Sequence, residues 1–77
     1  MTRLDFKSAM EEILGLRHGA LKDSDTRDTV ESWTSVADVQ ILTFISTELG
    51  LEPEAELVQA ETYGDLVNTL VERGALT

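Results

Sequence analysis

Apolar side chains recur every three or four residues in three stretches of the chain, which is the period of one face of an α-helix. The pattern predicts a first helix from about Leu4 to Leu16, a second from Val36 to about Leu49, and a last helix that opens at Thr62. Gly50 and Gly74 follow the second and last stretches, where glycine commonly ends a helix. No segment alternates like a half-buried strand, so the pattern predicts an all-α fold.

The apolar positions of each predicted helix form a stripe that we expect to face a common core. In the second helix, the inward positions at about 100° per residue are Val39, Ile41, Leu42, Ile45 and Leu49. Across the three helices, the predicted core includes Phe6, Ile13, Leu42, Ile45, Leu66 and Leu70. The other side of the second helix carries no charge, and we expect it to face outward.

Two connecting segments separate the predicted helices. Residues 17–34 are rich in Asp, Ser, Thr and Gly without helical periodicity. So long a loop in a small domain is either functional or a sign that the helix assignment is wrong. Its apolar residues Leu21, Val30 and Trp33 are spaced so that they can hold it against the helices. We interpret Trp33 as an edge-of-core residue, with a role in binding as the alternative. Residues 55–60 are long enough only for a short helix.

The second and last helices open with the same capping signature. Asp38 follows Ser35 by three residues, and Asp65 follows Thr62 in the same way. In such a capping box the hydroxyl accepts a hydrogen bond from the backbone N–H at the third helical position. We therefore predict that Ser35 is the N-cap. We also expect it to be exposed, beside the positive end of a helix dipole that favours phosphate.

Length and charge narrow the range of functions. The 77 residues predict a single domain, residues 1–77, which we expect to be monomeric. Fifteen acidic residues against six basic ones give a net charge of -9, which disfavours binding to the phosphates of nucleic acids. The sequence shows no apolar run of transmembrane length, and the residues from Met1 to Asp5 do not resemble the apolar region of a signal peptide. We therefore expect a soluble, cytoplasmic protein that does not bind membranes.

Residues suited to catalysis are scarce. The chain has no cysteine, which excludes disulfides, thiolate metal sites and a thiol nucleophile. Its one histidine, His18, has no neighbouring nucleophile or second ligand, and we assign it no role. Asp23, Asp25 and Asp28 superficially resemble a calcium loop, but the glycine at the sixth position and the closing glutamate are missing. We therefore expect neither enzymatic activity nor a metal site.

The stretch Trp33-Thr34-Ser35-Val36, together with the order of the predicted helices and the long loop, resembles the acyl carrier protein family. In that family a serine carries phosphopantetheine at the start of the second helix, between an aspartate and a leucine. Here the serine is kept, while Thr34 and Val36 replace the aspartate and the leucine. The resemblance extends over roughly residues 4–73.

The resemblance implies an acyl-carrier-like four-helix bundle with three longer helices and one short one. It also implies that a phosphopantetheinyl transferase, using coenzyme A and magnesium, attaches phosphopantetheine to Ser35. Acyl intermediates would then be held as thioesters on that arm. The alternative, since Thr34 and Val36 depart from the family signature, is a carrier-like interaction module that is never modified.

The resemblance also bears on partners and pathway. Fatty-acid carriers are rich in acidic residues along the second helix, whereas this helix has only Asp38 and Glu48. The difference favours a specialised carrier serving polyketide, mixed polyketide–peptide or specialised fatty-acid biosynthesis, with an acyltransferase, ketosynthase or similar enzyme as its partner. The docking residues that we predict on the outward side of the helix are Val36, Ala37, Gln40 and Phe44. For Phe44, packing into the core is the alternative.

Overall fold

The computed structural model describes residues 1–52, 57 and 59–77. Over these residues the chain forms three α-helices and no strand: α1 (Arg3–Leu14), α2 (Ser35–Leu49) and α3 (Tyr63–Glu72). The predicted all-α class is therefore confirmed. The short helix predicted over residues 55–60 falls largely on residues outside the described ones, although Leu57 is described and is buried.

The ends of the helices follow from local chemistry. The Thr2 hydroxyl accepts a hydrogen bond from the backbone N–H of Asp5 at 3.1 Å, and α1 ends at Gly15, whose φ of 67° suits glycine. Because Gly15 stops the helix, α1 is shorter than the predicted span to Leu16. Thr62 caps α3 as predicted, accepting from the N–H of Asp65 at 3.0 Å.

The core combines all three helices with the segment between α1 and α2. Of the predicted core residues, Phe6, Ile45, Leu66 and Leu70 are buried. Ile13 and Leu42 are only partly buried and pack against that core. The predicted apolar contacts of the connecting segment are confirmed, because its side chains Leu21, Val30 and Trp33 are buried too.

The inward face of α2 differs from the predicted one. Ala37, which we expected to face outward, is 5% exposed, whereas Val39, which we expected in the core, is 63% exposed. Phe44 is half-buried, with its ring centroid 6.1 Å from that of Phe6. Apolar residues surround much of α2, so their period alone could not select one face. The packing of Ile41 and Ile45 decides it instead.

Hydrogen bonds attach the segment between α1 and α2 to α1 and to the start of α3. The Ser32 hydroxyl donates to the carbonyl of Leu14 at 2.6 Å, which satisfies an acceptor at the end of α1. At the start of α3, the N–H of Gly64 donates to the carbonyl of Asp23 at 2.9 Å. A Cβ on Gly64 would lie 3.0 Å from that oxygen, a tight contact that would require Asp23 to shift by a few tenths of an ångström. These contacts give the long segment a defined path.

Glu11 is a buried carboxylate that secures the beginning of the same segment. It is 2% exposed, and its Oε2 accepts a hydrogen bond from the N–H of Leu21 at 3.0 Å. That bond, helped by the amide of Gly19, lowers the pKa of Glu11 below its ordinary value of 4.5, although burial opposes the shift. Nearby, burial raises the pKa of Tyr63 well above its usual range, with Asp23 and Glu11 adding to the effect, so the phenol stays neutral.

Glu11 should make the fold sensitive to acid. Because its pKa is lowered in the folded state, the stability that it contributes is present above pH 4.5 and is lost as the pH falls through the folded-state value. Denaturant unfolding at pH steps between about 5 and 3 should show a flatter decline for Glu11→Gln than for the parent. Glu12→Gln, which removes an exposed carboxylate from the same helix, is the matched control. Parallel curves for parent and Glu11→Gln would contradict this role.

Candidate modification site at the start of α2

Ser35 is the first residue of α2 and is exposed. The prediction that it is the N-cap is wrong. Thr34 takes that role: its backbone is extended, with φ -98° and ψ 179°, and its hydroxyl accepts from the N–H of Ala37 at 3.4 Å. Both residues have a suitable hydroxyl, and the chain turns into the helix one residue earlier than predicted. Among the described residues, none forms a hydrogen bond with the Ser35 hydroxyl.

Asp38 does not complete a capping box with Ser35, because its carboxylate is engaged with the connecting segment. Arg27 binds it in a bidentate manner, with Nε donating to Oδ2 at 3.0 Å and Nη2 donating to Oδ1 at 2.9 Å. The indole Nε1 of Trp33 also donates to Oδ1, at 2.8 Å. Two residues of the segment between α1 and α2 therefore donate three hydrogen bonds to this carboxylate in the first turn of α2.

Arg27 is the centre of this arrangement, which we call the Arg27 cluster (Arg27, Trp33, Asp38 and the carbonyl of Ala60). Its guanidinium carbon lies 5.0 Å from the centre of the Trp33 ring, and its Nη1 donates to the carbonyl of Ala60 at 2.9 Å. No sequence pattern indicated a role for Arg27, because its hydrogen-bond partners Asp38 and Ala60 lie 11 and 33 positions away. Trp33 is buried, as predicted, and its indole N–H has the partner that a buried donor requires.

The outward surface of α2 differs in part from the predicted docking face. Val36 and Gln40 are exposed as predicted, whereas Ala37 is buried and Phe44 is half-buried against Phe6. The predicted outward orientation is therefore wrong for Ala37. Phe44 is partly packed into the core, which is the alternative that we considered for it. Val39 takes their place on the surface, with 63% of it exposed beside Val36 at 66%.

A shallow depression continues this surface toward the end of α2. It is lined by Val39, Leu42, Thr43, Ser46 and Thr47. The threonine hydroxyls turn back to the helix, since Thr43 donates to the carbonyl of Val39 at 2.9 Å and Thr47 to that of Thr43 at 2.9 Å. We call Val36, Val39, Gln40 and Thr43 the α2 outer face. None of these four side chains is charged.

The other candidate groups are not brought together into a site. Over the described residues, no three acidic or histidine side chains are arranged to hold a metal ion. Asp25 instead stabilises a turn, with Oδ2 accepting from the N–H of Lys22 at 2.8 Å and Oδ1 from the Thr29 hydroxyl at 3.0 Å. The His18 side chain is 82% exposed, and its Nδ1 lies 3.8 Å from the nearer Glu11 oxygen.

No described helix combines the length and apolar character that crossing a bilayer requires. The features that distinguish the start of α2 are the exposed Ser35, the Arg27 cluster beside it and the uncharged outer face.

Comparison of the chain with protein-family models, curated protein sequences and solved structures gives no match.

Proposed function

We propose that this chain is an acyl carrier protein that holds acyl intermediates as thioesters on a phosphopantetheine arm attached to Ser35. The observation that carries the proposal is the exposed Ser35 hydroxyl at the first position of α2. Capping is done by Thr34, so modification of Ser35 removes no hydrogen bond on which the described part of the fold depends. The proposal includes the four-helix bundle of the carrier family, with three longer helices and one short one.

The residues around Ser35 fit the proposed group. In the transfer from coenzyme A, the Ser35 oxygen attacks phosphorus, and the phosphoanhydride bond to the departing nucleotide breaks as the new bond forms. The serine proton passes to a base of the transferase. The backbone N–H groups at the start of α2 favour the phosphodiester charge. The arm supplies a terminal thiol for acyl groups, while this chain contributes positioning and a high effective concentration.

The charge distribution supports a specialised carrier of polyketide, mixed polyketide–peptide or specialised fatty-acid biosynthesis. The acidic residues of α2 are Asp38 and Glu48, and the Asp38 charge is compensated by Arg27. Electrostatic attraction to a basic partner would therefore be weak along α2. An acyltransferase or ketosynthase would instead meet the α2 outer face, where exposed valines favour apolar contact.

Intact mass spectrometry tests the proposed modification directly. After incubation with coenzyme A, magnesium and a phosphopantetheinyl transferase of broad specificity, the mass should rise by one phosphopantetheinyl group. Peptide mapping should place that group on Ser35. It should not be on Ser32, whose hydroxyl is already bonded to Leu14. An unchanged mass would favour the alternative, a carrier-like interaction module that is not modified.

The α2 outer face should also govern recognition by the phosphopantetheinyl transferase. Replacing both Val36 and Val39 by serine should raise the KM several-fold, because apolar contact area is lost without a change in charge. Glu48→Gln, which removes an exposed charge from the same helix, is the control and should change the KM little. Added salt should also matter little, because screening acts on exposed charges. A steep salt dependence with an unaffected valine variant would contradict this docking mode.

A further inference from the structure

Asp38 poses an electrostatic problem for a phosphate on Ser35. The two residues are three positions apart in α2, so their side chains are neighbours on the helix surface. Two negative groups at such a separation repel each other, and the net charge of -9 adds to the repulsion. A positive group that compensates the Asp38 carboxylate would reduce this repulsion.

We propose that Arg27 is a positioning residue for the Ser35 site, which compensates the Asp38 charge and holds that carboxylate toward the connecting segment. The inference rests on the proposed function, because it names what makes Ser35 suitable for an anionic group. Both guanidinium-to-carboxylate bonds are short, at 3.0 and 2.9 Å. The side chains of Arg27 and Asp38 are 31% and 20% exposed, so solvent screens the pair only in part.

The surroundings of Arg27 explain how its position is maintained. Its guanidinium lies over the Trp33 ring at 5.0 Å, and Nη1 binds the carbonyl of Ala60 at 2.9 Å. The indole N–H of Trp33 donates to Asp38 Oδ1 at 2.8 Å, and Arg27 Nη2 donates to the same oxygen. A planar guanidinium can make these contacts at once, whereas a lysine ammonium provides the charge without the bidentate geometry. The charge and the geometry can therefore be separated by substitution.

A thiol introduced at Ser35 measures the electrostatic environment without requiring that phosphopantetheine be attached. The chain has no cysteine, so Ser35→Cys provides a unique thiol whose pKa can be read from its alkylation rate against pH. In this background, Arg27→Gln should raise the thiol pKa by roughly 0.5, because the carboxylate charge is no longer compensated. Asp38→Asn should lower it, and the double variant should return it close to the parent value.

The opposite signs of the two single substitutions distinguish charge compensation from a loss of structure. Loosening of the helix start would shift the thiol pKa in the same direction in both variants, and the double variant would not restore it. Arg27→Lys should stay near the parent value because it keeps the charge. Lys22→Gln makes the same change in net charge at an exposed position and should have little effect. Circular dichroism of each variant shows whether the total helix content is kept.

The same variants with Ser35 intact connect the inference to modification. At low salt, Arg27→Gln should reduce kcat/KM for phosphopantetheine transfer about threefold, as a pKa change of roughly 0.5 implies. The double variant should recover the parent rate. If the thiol pKa is equal in the parent, Arg27→Gln and Asp38→Asn, the inference is overturned even where Ser35 is modified. If the pKa values shift as expected and Ser35 remains unmodified, the proposed function fails and the electrostatic role of Arg27 stands.

Discussion

Replacing Ser35 with alanine is expected to abolish phosphopantetheine attachment while the helices remain intact. Attachment needs the hydroxyl oxygen, and alanine has none. The fold should tolerate the change, because Ser35 is exposed and the cap of α2 is Thr34. Serine and alanine differ by only about 0.5 kcal/mol in helix propensity, and alanine is the better helix former. Intact mass and thermal unfolding of the same samples measure both effects.

Thr34→Ala is the matched control for this result. It removes the hydroxyl next to Ser35, together with the capping bond to Ala37, and should destabilise the domain by about 1 kcal/mol. Modification should persist, since Ser35 keeps its hydroxyl. Ser35→Ala should therefore lose modification and keep its stability, whereas Thr34→Ala should keep modification and lose stability. A modified Ser35→Ala variant would mean that another hydroxyl carries the group and that Ser35 is misassigned.

Truncating Ile45 to alanine is expected to have the largest effect on stability. Its side chain has no exposed surface and lies in the buried core. Removing a buried isoleucine side chain to alanine commonly costs about 2–5 kcal/mol, because apolar contacts are lost and a cavity remains. For a domain of 77 residues this is a large part of the total stability. Urea unfolding should show a lower midpoint. If the loss of stability lies at the upper end of that range, part of the protein should be unfolded before urea is added.

Two further truncations in α2 test which face it buries. Val39→Ala should change the stability by less than about 0.5 kcal/mol, because Val39 is 63% exposed. Leu42→Ala should lie between Val39→Ala and Ile45→Ala, since Leu42 is only partly buried against the core. A large loss for Val39→Ala with a small loss for Ile45→Ala would mean that α2 is rotated about its axis relative to this structure.

The sequence predicted the ends of α2 and α3 closely, because those ends depend on local chemistry. Gly50 follows α2 with a φ of 68°, and Thr62 caps α3 through its own side chain. The buried face of α2 could not be predicted in the same way. Its apolar residues occupy several sides of the helix, so burying either Val39 or Ala37 is consistent with the pattern. Packing against α1 and the connecting segment decides between them.

For the candidate site, the sequence placed Ser35 at the exposed start of a helix but assigned it the role of Thr34. Both neighbouring residues have a hydroxyl that can cap a helix, and the backbone angles at residue 34 show that Thr34 is the cap. The sequence also suggested that Asp38 caps the helix, since a capping box requires no distant partner. Arg27 and Trp33 bind that carboxylate instead, and they reach it only because the connecting segment folds back onto α2.

By itself, the sequence determined the all-helical class, the approximate helix bounds and the burial of the apolar residues of the connecting segment. These features follow from interactions between residues close together in the chain and from the burial of apolar side chains. Tertiary structure alone decided which side of α2 is exposed and which group neutralises Asp38. Both depend on contacts between residues far apart in sequence. Arg27, for example, donates to the carbonyl of Ala60 at 2.9 Å although the two residues are 33 positions apart.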